Sequence, residues 1–247
     1  MKYLFVCGTP RSGTTAMWRL LTSDNRICLG VERYGNLFFE KPLTKNLFVK
    51  DRFLTYEKGD TFYNDLSSFN NYYDRIEKNF NGYEVVGDKI PLLYKYIERT
   101  LASIPEAKIV IMIRNIFDIA ASYEARAANK NDDSWSRDKR TASAIQDWRD
   151  MLKVIDEFSN DTRIKPVIFE DFFNDQDNNC NLEKLYKFID LPVNEDNICS
   201  FSDMVKQSES LKESRVRRLD DTAIQLICET APFGLYRQVI KKVRDEY

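Results

Sequence analysis

Cys7-Gly8-Thr9-Pro10-Arg11-Ser12-Gly13-Thr14-Thr15 is the stretch that decides the fold class of this 247-residue chain. Its two glycines have the spacing of the phosphate-binding loop G-x-x-x-x-G-K-[ST], an apolar strand over residues 3–7 precedes it, and an amphipathic helix follows it. The lysine position of that motif holds Thr14, so the contact that ATP- and GTP-cleaving enzymes make to a γ-phosphate is missing. The segment therefore predicts a loop that binds an anion without gripping a γ-phosphate.

The loop supplies hydrogen-bond donors from backbone and side chains. A helix N-terminus presents free N–H groups and the positive end of a dipole, and Arg11, Ser12, Thr14 and Thr15 add donors beside Gly13. The alternative is a glycine-rich turn that leads into a helix and binds nothing. Strand, loop and helix in this order favour the anion site.

The rest of the chain alternates strands with helices. Apolar strand patterns at residues 83–87, Lys108–Ile113 and 164–169 each precede a helical pattern, and the second is apolar on both faces. Helical patterns occupy residues 92–103, Ile116–Ala128, 141–158 and 182–189, with two more near the C-terminus. The pattern predicts an α/β fold with a P-loop-type, doubly wound parallel sheet flanked by helices, and we expect residues 1–247 to form one domain.

Composition excludes several kinds of chemistry. The chain has no histidine, which rules out Ser-His-Asp systems, histidine metal ligands and a histidine base. Five scattered cysteines fit reduced thiols in the cytoplasm. The formal net charge of -2 gives no general reason to expect nucleic acid as a partner, and the short apolar N-terminus gives none to expect a membrane segment.

Residues 34–80 interrupt the alternation and hold 12 of the 32 aromatic residues. We interpret them as an aromatic-rich insertion over the site, the alternative being a satellite core packed on the sheet edge. Polar residues 129–140 join two helices as a loop. Trp135 and Trp148 are candidates to stack on a base, although Trp148 lies on an apolar helix face that favours the core.

Pro-Arg-Ser-Gly-Thr-Thr resembles the 5′-phosphosulfate loop of sulfotransferases that use 3′-phosphoadenosine 5′-phosphosulfate (PAPS) as donor. The resemblance implies that Arg11, Ser12, Gly13, Thr14 and Thr15 hold the 5′-phosphosulfate. A second segment, Arg114 to Ser122, is similar to the family's 3′-phosphate segment, in which an arginine ends a strand and a serine follows eight residues later. Ile116 departs from it, because many members have proline there.

Glu32 is our candidate for the base that deprotonates the acceptor, because histidine is absent and the chain returns toward the loop after its first helix. The family's tyrosylprotein branch carries a catalytic glutamate at the same spacing, although Val31 replaces one of that branch's paired glutamates. Lys89-Ile90-Pro91 resembles the family's Lys-x-Pro segment, which implies that Lys89 stabilises the leaving group while Arg11 contacts the sulfuryl oxygens. The alternatives are a surface Glu32–Arg33 pair and a solvated lysine.

Residues 167–173 and 182–192 also resemble the family, so the likeness spans most of the chain. A polar basic run over residues 208–218 resembles a loop that closes over the nucleotide in family members. The resemblance implies a PAPS-dependent sulfotransferase that acts on a hydroxyl and requires no metal. A P-loop kinase using ATP and Mg²⁺, with Asp88 or Asp118 as metal ligand, and a non-catalytic nucleotide-binding module remain as alternatives. Glycan, lipid, phenol and peptidyl tyrosine are all open as acceptors, and so is the oligomeric state.

Overall fold

A computed structural model of the chain describes residues 1–62, 70–173, 179–214 and 219–245. The strands are β1 (Lys2–Gly8), β2 (Ile27–Val31), β3 (Val85–Lys89), β4 (Lys108–Ile113) and β5 (Ile164–Ile168). They form a five-stranded sheet in the order β2-β3-β1-β4-β5, and every neighbouring pair is parallel. The prediction of an α/β fold with a parallel sheet is confirmed.

Helices follow or connect the strands. The α-helices are α1 (Thr14–Ser23), α2 (Leu37–Glu40), α3 (Lys50–Leu54), α4 (Asn70–Asn79), α5 (Ile97–Ser103), α6 (Ile116–Ala128), α7 (Thr141–Glu157), α8 (Phe169–Phe173), α9 (Asn179–Phe188), α10 (Glu195–Ser214), α11 (Asp221–Thr230) and α12 (Phe233–Asp245). Short 3₁₀ segments cover Lys45–Phe48, Phe80–Gly82 and Pro91–Tyr96. The helix expected over residues 92–103 is therefore a 3₁₀ segment followed by α5.

Strand β2 is an element that the sequence pattern did not predict. All five of its residues are buried, so it shows no alternation, and five apolar residues after a helix carry no periodicity of their own. Strand β3 also begins and ends two residues later than expected. Its pairing with β1 and β2 continues through Asp88 and Lys89, whose polar side chains find partners inside the protein.

Buried side chains alternate between the two faces of the sheet. In β1, Phe5 and Cys7 belong to one hydrophobic cluster, whereas Leu4 and Val6 belong to the other. The same alternation runs along β4, which is therefore buried on both faces, as its apolar run predicted. Helices α6 and α7 cover the first face, and α1 and α9 cover the second.

The described part of the aromatic insertion continues the core of the first face. The rings of Tyr34, Phe48 and Phe53 are buried there, and Phe48 lies 5.5 Å from Phe5 of β1, centroid to centroid. The insertion is thus joined to the main core and is not a separate satellite. In the described residues, we find no helix with the length and hydropathy needed to span a membrane.

The strand register brings the candidate site residues to one edge of the sheet. Val6 of β1 pairs with Lys89, and Val31 of β2 pairs with the same residue, so β2 and β3 end together and β1 ends two residues beyond them. Strand β1 lies at the centre of the sheet. The chain adds β2 and β3 on one side of it and then β4 and β5 on the other side. In open α/β sheets this switch point forms a crevice at the carboxyl ends of the strands.

Candidate active site

The loop after β1 has an unusual backbone. The φ angles of Gly8, Arg11 and Gly13 are 145°, 72° and 101°, so the chain turns sharply three times before α1 begins. A Cβ at Gly13 would lie 2.3 Å from the ring of Phe169, which explains why glycine is required there. At the N-cap position of α1, no side chain accepts a hydrogen bond from the free backbone N–H groups. The first turn of α1 carries no acidic residue. The helix N-terminus is therefore suited to an external anion.

Ser12 is fully buried within this loop. Its amide donates to the carbonyl of Thr9 at 2.9 Å, which tightens the turn. Its Oγ atom has no hydrogen-bond partner among the described residues. A buried hydroxyl without a partner is costly, and Ser12 does not line the cleft, so this side chain is part of the interior of the loop.

The second anion segment lies directly against the first. Arg11 Nε donates to Ser122 Oγ over 2.8 Å, and Arg114 Nη1 donates to the carbonyl of Arg11 over 3.4 Å. The structure thus brings together the two segments that sequence analysis predicted as separate anion sites. The side chain of Arg11 points toward Ser122, on the side where the resemblance implies a 3′-phosphate.

Arg114 is held from several directions. Its guanidinium carbon lies 4.6 Å from the centre of the Phe169 ring, and Nη2 is 3.3 Å from a carboxylate oxygen of Asp118. The indole N–H of Trp148 donates to the Arg114 carbonyl over 3.0 Å. Trp148 is fully buried, so it belongs to the core and is not available to stack on a base.

Glu170 is a site residue that sequence analysis did not find. Its Oε1 atom accepts the backbone N–H of Asn115 over 2.9 Å, and Asn115 in turn caps α6 by accepting the N–H of Phe117. Burial raises the pKa of Glu170, against the lowering effect of that N–H and of Arg114. Glu170 thereby ties the end of β5 to the turn that carries Arg114. In the sequence, the feature that indicates this role of Glu170 is its position just after a strand.

Glu32 and Lys89 form an ion pair with an Oε1–Nζ distance of 2.6 Å. The Lys89 side chain is 3% exposed, so it is not a solvated lysine, whereas the Glu32 side chain is 25% exposed and faces the cleft. The alternative Glu32–Arg33 surface pair is wrong. Arg33 is fully buried and pairs with Asp60 over 2.6 Å.

Asp88 does not have the arrangement of a metal ligand. Both of its carboxylate oxygens accept backbone N–H groups, from Arg33 over 3.1 Å and from Tyr34 over 2.8 Å. Complete burial raises the pKa of Asp88 to about 6, although both N–H groups act in the opposite direction. Asp118, the other carboxylate considered for magnesium, pairs with Arg114. Within the described ranges, no three acidic or cysteine side chains cluster as a metal site would require.

The candidate site residues line one cleft with a volume of about 1210 Å³. Of the predicted site residues it contains Arg11, Gly13, Thr14, Thr15, Glu32, Lys89, Arg114 and Ser122. Only the buried Ser12 is missing from the predicted set. Aromatic residues Phe38, Phe39 and Phe62 of the insertion form part of the wall, as expected for an insertion over the site.

Other walls of the cleft come from distant parts of the chain. Trp135 of the polar loop lines it, packed edge to face on Tyr123 at 4.7 Å. Leu219 and Ile224 line it from the C-terminal region. Of the polar basic run at residues 208–218, residues 215–218 lie outside the described residues.

A family model described as "Sulfotransferase family" matches residues 4–195. A search of curated protein sequences finds no match. Among solved structures, the sulfotransferase domain of the Synechococcus PCC 7002 olefin synthase has a TM-score of 0.53 at 16% identity, covering 99% of this chain and 94% of its own. Mouse sulfotransferase SULT7A1, solved with PAP, has a TM-score of 0.51 at 15% identity, covering 98% of this chain and 82% of its own.

Sulfotransferase STF9 from Mycobacterium avium is similar to the same degree, with a TM-score of 0.51 at 13% identity over 92% of this chain and 75% of its own. At these identities the structural likeness establishes the fold. The family model spans the loop over residues 7–15, the Glu32–Lys89 pair and Arg114 to Ser122, which all lie between residues 4 and 195. This chain belongs to the sulfotransferase family.

Proposed function

We propose that the protein transfers a sulfuryl group from PAPS to an acceptor hydroxyl. The observation that carries the proposal is the contact of two anion cradles beside a carboxylate–lysine pair in one cleft. A nucleotide with phosphates at both 5′ and 3′ positions requires two such cradles, whereas ATP requires one cradle and a magnesium carboxylate. The uncapped N-terminus of α1, with Thr14 and Thr15 lining the cleft, fits the 5′ anion, and Arg114 with Ser122 fits the 3′-phosphate.

In the proposed reaction, the acceptor oxygen forms a bond to sulfur while the bond from sulfur to the 5′-phosphate oxygen breaks. Glu32 takes the proton of the acceptor hydroxyl, since its carboxylate faces the cleft. The Lys89 ammonium, 2.6 Å from Glu32, provides positive charge near the reacting groups, whereas the Arg11 guanidinium contacts Ser122 on the side proposed for the 3′-phosphate. Charge that develops on the transferred group and the leaving oxygen is stabilised by such prepositioned cations.

The cleft supports an acceptor with a flat or apolar body. Phe39 and Phe62 lie 5.9 Å apart, centroid to centroid, and Phe62 is 61% exposed at the cleft wall. Pro91 and Leu92 line the cleft immediately after Lys89. Sugars, phenols and lipids all present apolar faces that pack on such a surface. We therefore propose a hydroxyl on a carbohydrate, a small molecule or a peptidyl tyrosine as the acceptor.

We expect adenosine 3′,5′-bisphosphate to stabilise the protein and ATP with Mg²⁺ to leave it unchanged. A ligand that binds only the native state at 100 times its Kd adds about 2.7 kcal/mol. For a chain of this size that corresponds to a rise in Tm of roughly 5–10 °C. Differential scanning fluorimetry with each nucleotide, and with EDTA as a further arm, measures it. Stabilisation by ATP with Mg²⁺ alone would favour the kinase alternative.

Arg114→Met is expected to weaken binding of adenosine 3′,5′-bisphosphate and to leave adenosine 5′-monophosphate binding unchanged. A lost charge-assisted contact of about 1.5–3 kcal/mol corresponds to roughly 10- to 100-fold in Kd. The main-chain contact from Trp148 is retained in the variant, so the turn is still held. Isothermal titration calorimetry with both nucleotides gives the comparison.

Arg163→Met is the matched control for Arg114. Arg163 precedes the amino end of β5, whereas Arg114 follows the carboxyl end of β4, and Arg163 pairs with the nearby Asp161. We expect both affinities to be retained in that variant. Equal loss of both nucleotides in Arg114→Met would remove the 3′-phosphate assignment.

A further inference from the structure

The buried carboxylate of Asp88 holds the turn that follows Glu32, the candidate base. Glu32 has a φ angle of 53°, a left-handed conformation that is uncommon for a residue with a side chain. Its own N–H donates to the carbonyl of Lys89 over 2.9 Å, and its carbonyl accepts from Gly35 over 2.9 Å. The next two N–H groups along the chain, of Arg33 and Tyr34, end on the two oxygens of Asp88.

The sheet provides the space that this carboxylate occupies. Asp88 of β3 pairs with Gly30 of β2 in the strand register. A Cβ at Gly30 would lie 2.7 Å from Asp88 Oδ1 and 2.6 Å from the Cβ of Arg33. Glycine at this position therefore allows the carboxylate and the turn after Glu32 to lie side by side.

Asp88 connects the two members of the ion pair. It precedes Lys89 on β3, and its two oxygens hold the turn that begins at Glu32, the partner of Lys89 in the 2.6 Å contact. A side chain in an uncommon backbone region persists only where its surroundings hold it there, and such residues concentrate at functional sites. The two N–H groups also offset the cost of burying the carboxylate.

We propose that Asp88 is a positioning residue for sulfuryl transfer: it fixes the left-handed turn at Glu32 and thereby sets the position of the base beside Lys89. This proposal rests on the proposed function. Asp88 does not touch the substrate, since both of its oxygens are occupied by backbone N–H groups and it is fully buried. Its influence passes through Glu32.

Asp88→Asn keeps the shape of the side chain but leaves one N–H group facing an amide NH₂. We expect a fall in kcat of roughly 10- to 100-fold, because a displacement of about 1 Å at a reacting group has an effect of that size. The affinity for adenosine 3′,5′-bisphosphate, measured by calorimetry, should change less than about twofold, since the cradles are untouched. Amide hydrogen exchange at Arg33 and Tyr34 should become faster.

A double-mutant cycle separates positioning from general loss of structure. If Asp88 acts through Glu32, then Glu32→Gln and Glu32→Gln/Asp88→Asn should have the same residual kcat within about twofold. Gly30→Ala, which crowds the carboxylate from β2, should reproduce the kcat loss of Asp88→Asn.

Asp24→Asn is the matched control. Asp24 is also a buried aspartate, and it accepts the backbone N–H of Arg26 over 2.9 Å. It precedes the amino end of β2, whereas Glu32 follows the carboxyl end. The Asp24→Asn change should lower Tm and leave kcat unchanged. The positioning role is overturned if Asp88→Asn keeps the parental kcat, or if the kcat losses of the two single variants multiply in the double variant. Either result leaves the proposed function intact. A parent protein that transfers no sulfuryl group overturns the proposed function itself.

Discussion

Replacing Glu32 by glutamine is expected to lower kcat by about 10²- to 10⁴-fold, the usual contribution of a positioned general base. Glutamine has nearly the same shape and can still accept a hydrogen bond from Lys89, which lies 2.6 Å from the carboxylate oxygen. What it lacks is an oxygen basic enough to take the proton of the acceptor hydroxyl. The loss should therefore appear in turnover.

Binding of the nucleotide should survive this change, because the donors of the Arg11 to Thr15 loop and of Arg114 are not altered. Turnover is measured as transfer of labelled sulfate from PAPS, and binding as the Kd of adenosine 3′,5′-bisphosphate. Glu106→Gln is a matched control, since Glu106 forms an exposed ion pair with Lys45 that resembles the Glu32–Lys89 pair in chemistry. Parental turnover in Glu32→Gln would assign the proton to another group.

Arg33→Met is expected to destabilise the protein by about 3–5 kcal/mol, the usual effect of breaking a buried ion pair. The Arg33 side chain is fully buried, and Nη1 donates to Asp60 over 2.6 Å. It also donates to the carbonyls of Phe53 and Thr55 over 2.8 and 2.6 Å. Methionine fills a similar volume and donates to none of these groups, so buried acceptors lose their donors.

For a chain of this length, such a loss should lower Tm by roughly 6–20 °C. Urea unfolding followed by circular dichroism gives the free energy directly. Arg140→Met is the control, because Arg140 is 52% exposed and pairs with Glu124 at the surface, where such a pair contributes less than about 1 kcal/mol. Equal losses in the two variants would show that the buried network adds nothing beyond a surface pair.

Arg33 also joins the candidate base to the aromatic insertion. It follows Glu32 in the chain, and its guanidinium donates to backbone carbonyls within residues 52–55 and to the Asp60 side chain, two residues before Phe62 of the cleft wall. Sequence analysis assigned no role to this arginine, because a charged residue beside a glutamate is most simply explained as a surface partner. Burial reverses that explanation, since a fully buried arginine must find acceptors inside the protein.

The two anion segments show how far local patterns reach. The loop over residues 7–15 was identifiable because its glycines, hydroxyls and flanking elements are adjacent in the chain. Arg114 and Ser122 were identified from a resemblance confined to one strand and one helix. The contact of Ser122 with Arg11, 2.8 Å from Nε to Oγ, joins residues 111 positions apart in the chain, and neither local pattern predicts it.

The elements that were missed share a physical cause. Strand β2 carries no alternation, and β3 extends through an aspartate and a lysine that ordinarily argue against a buried strand. Both are strands because of their neighbours: β3 pairs with β1 and β2, whereas β2 pairs with β3 alone and its Leu29 N–H and C=O bond side chains of Tyr72 and Trp18. The polar side chains of β3 find partners at the strand end. Such pairing depends on residues distant in the chain.

By itself the sequence determined the parallel α/β architecture and the exclusion of histidine chemistry, and it predicted an anion site in the loop over residues 7–15, because these depend on residue type, short spacing and periodicity. Tertiary structure alone decided that Glu32 pairs with Lys89, 57 residues away, that Arg11 meets Ser122, 111 residues away, and that Asp88 lies behind both members of the ion pair. These contacts arise from the pairing of β2 with β3, from the pairing of β1 with β4, and from burial. A side chain's partner is set by the strand that packs beside it, and neighbouring residues in the chain do not specify that strand.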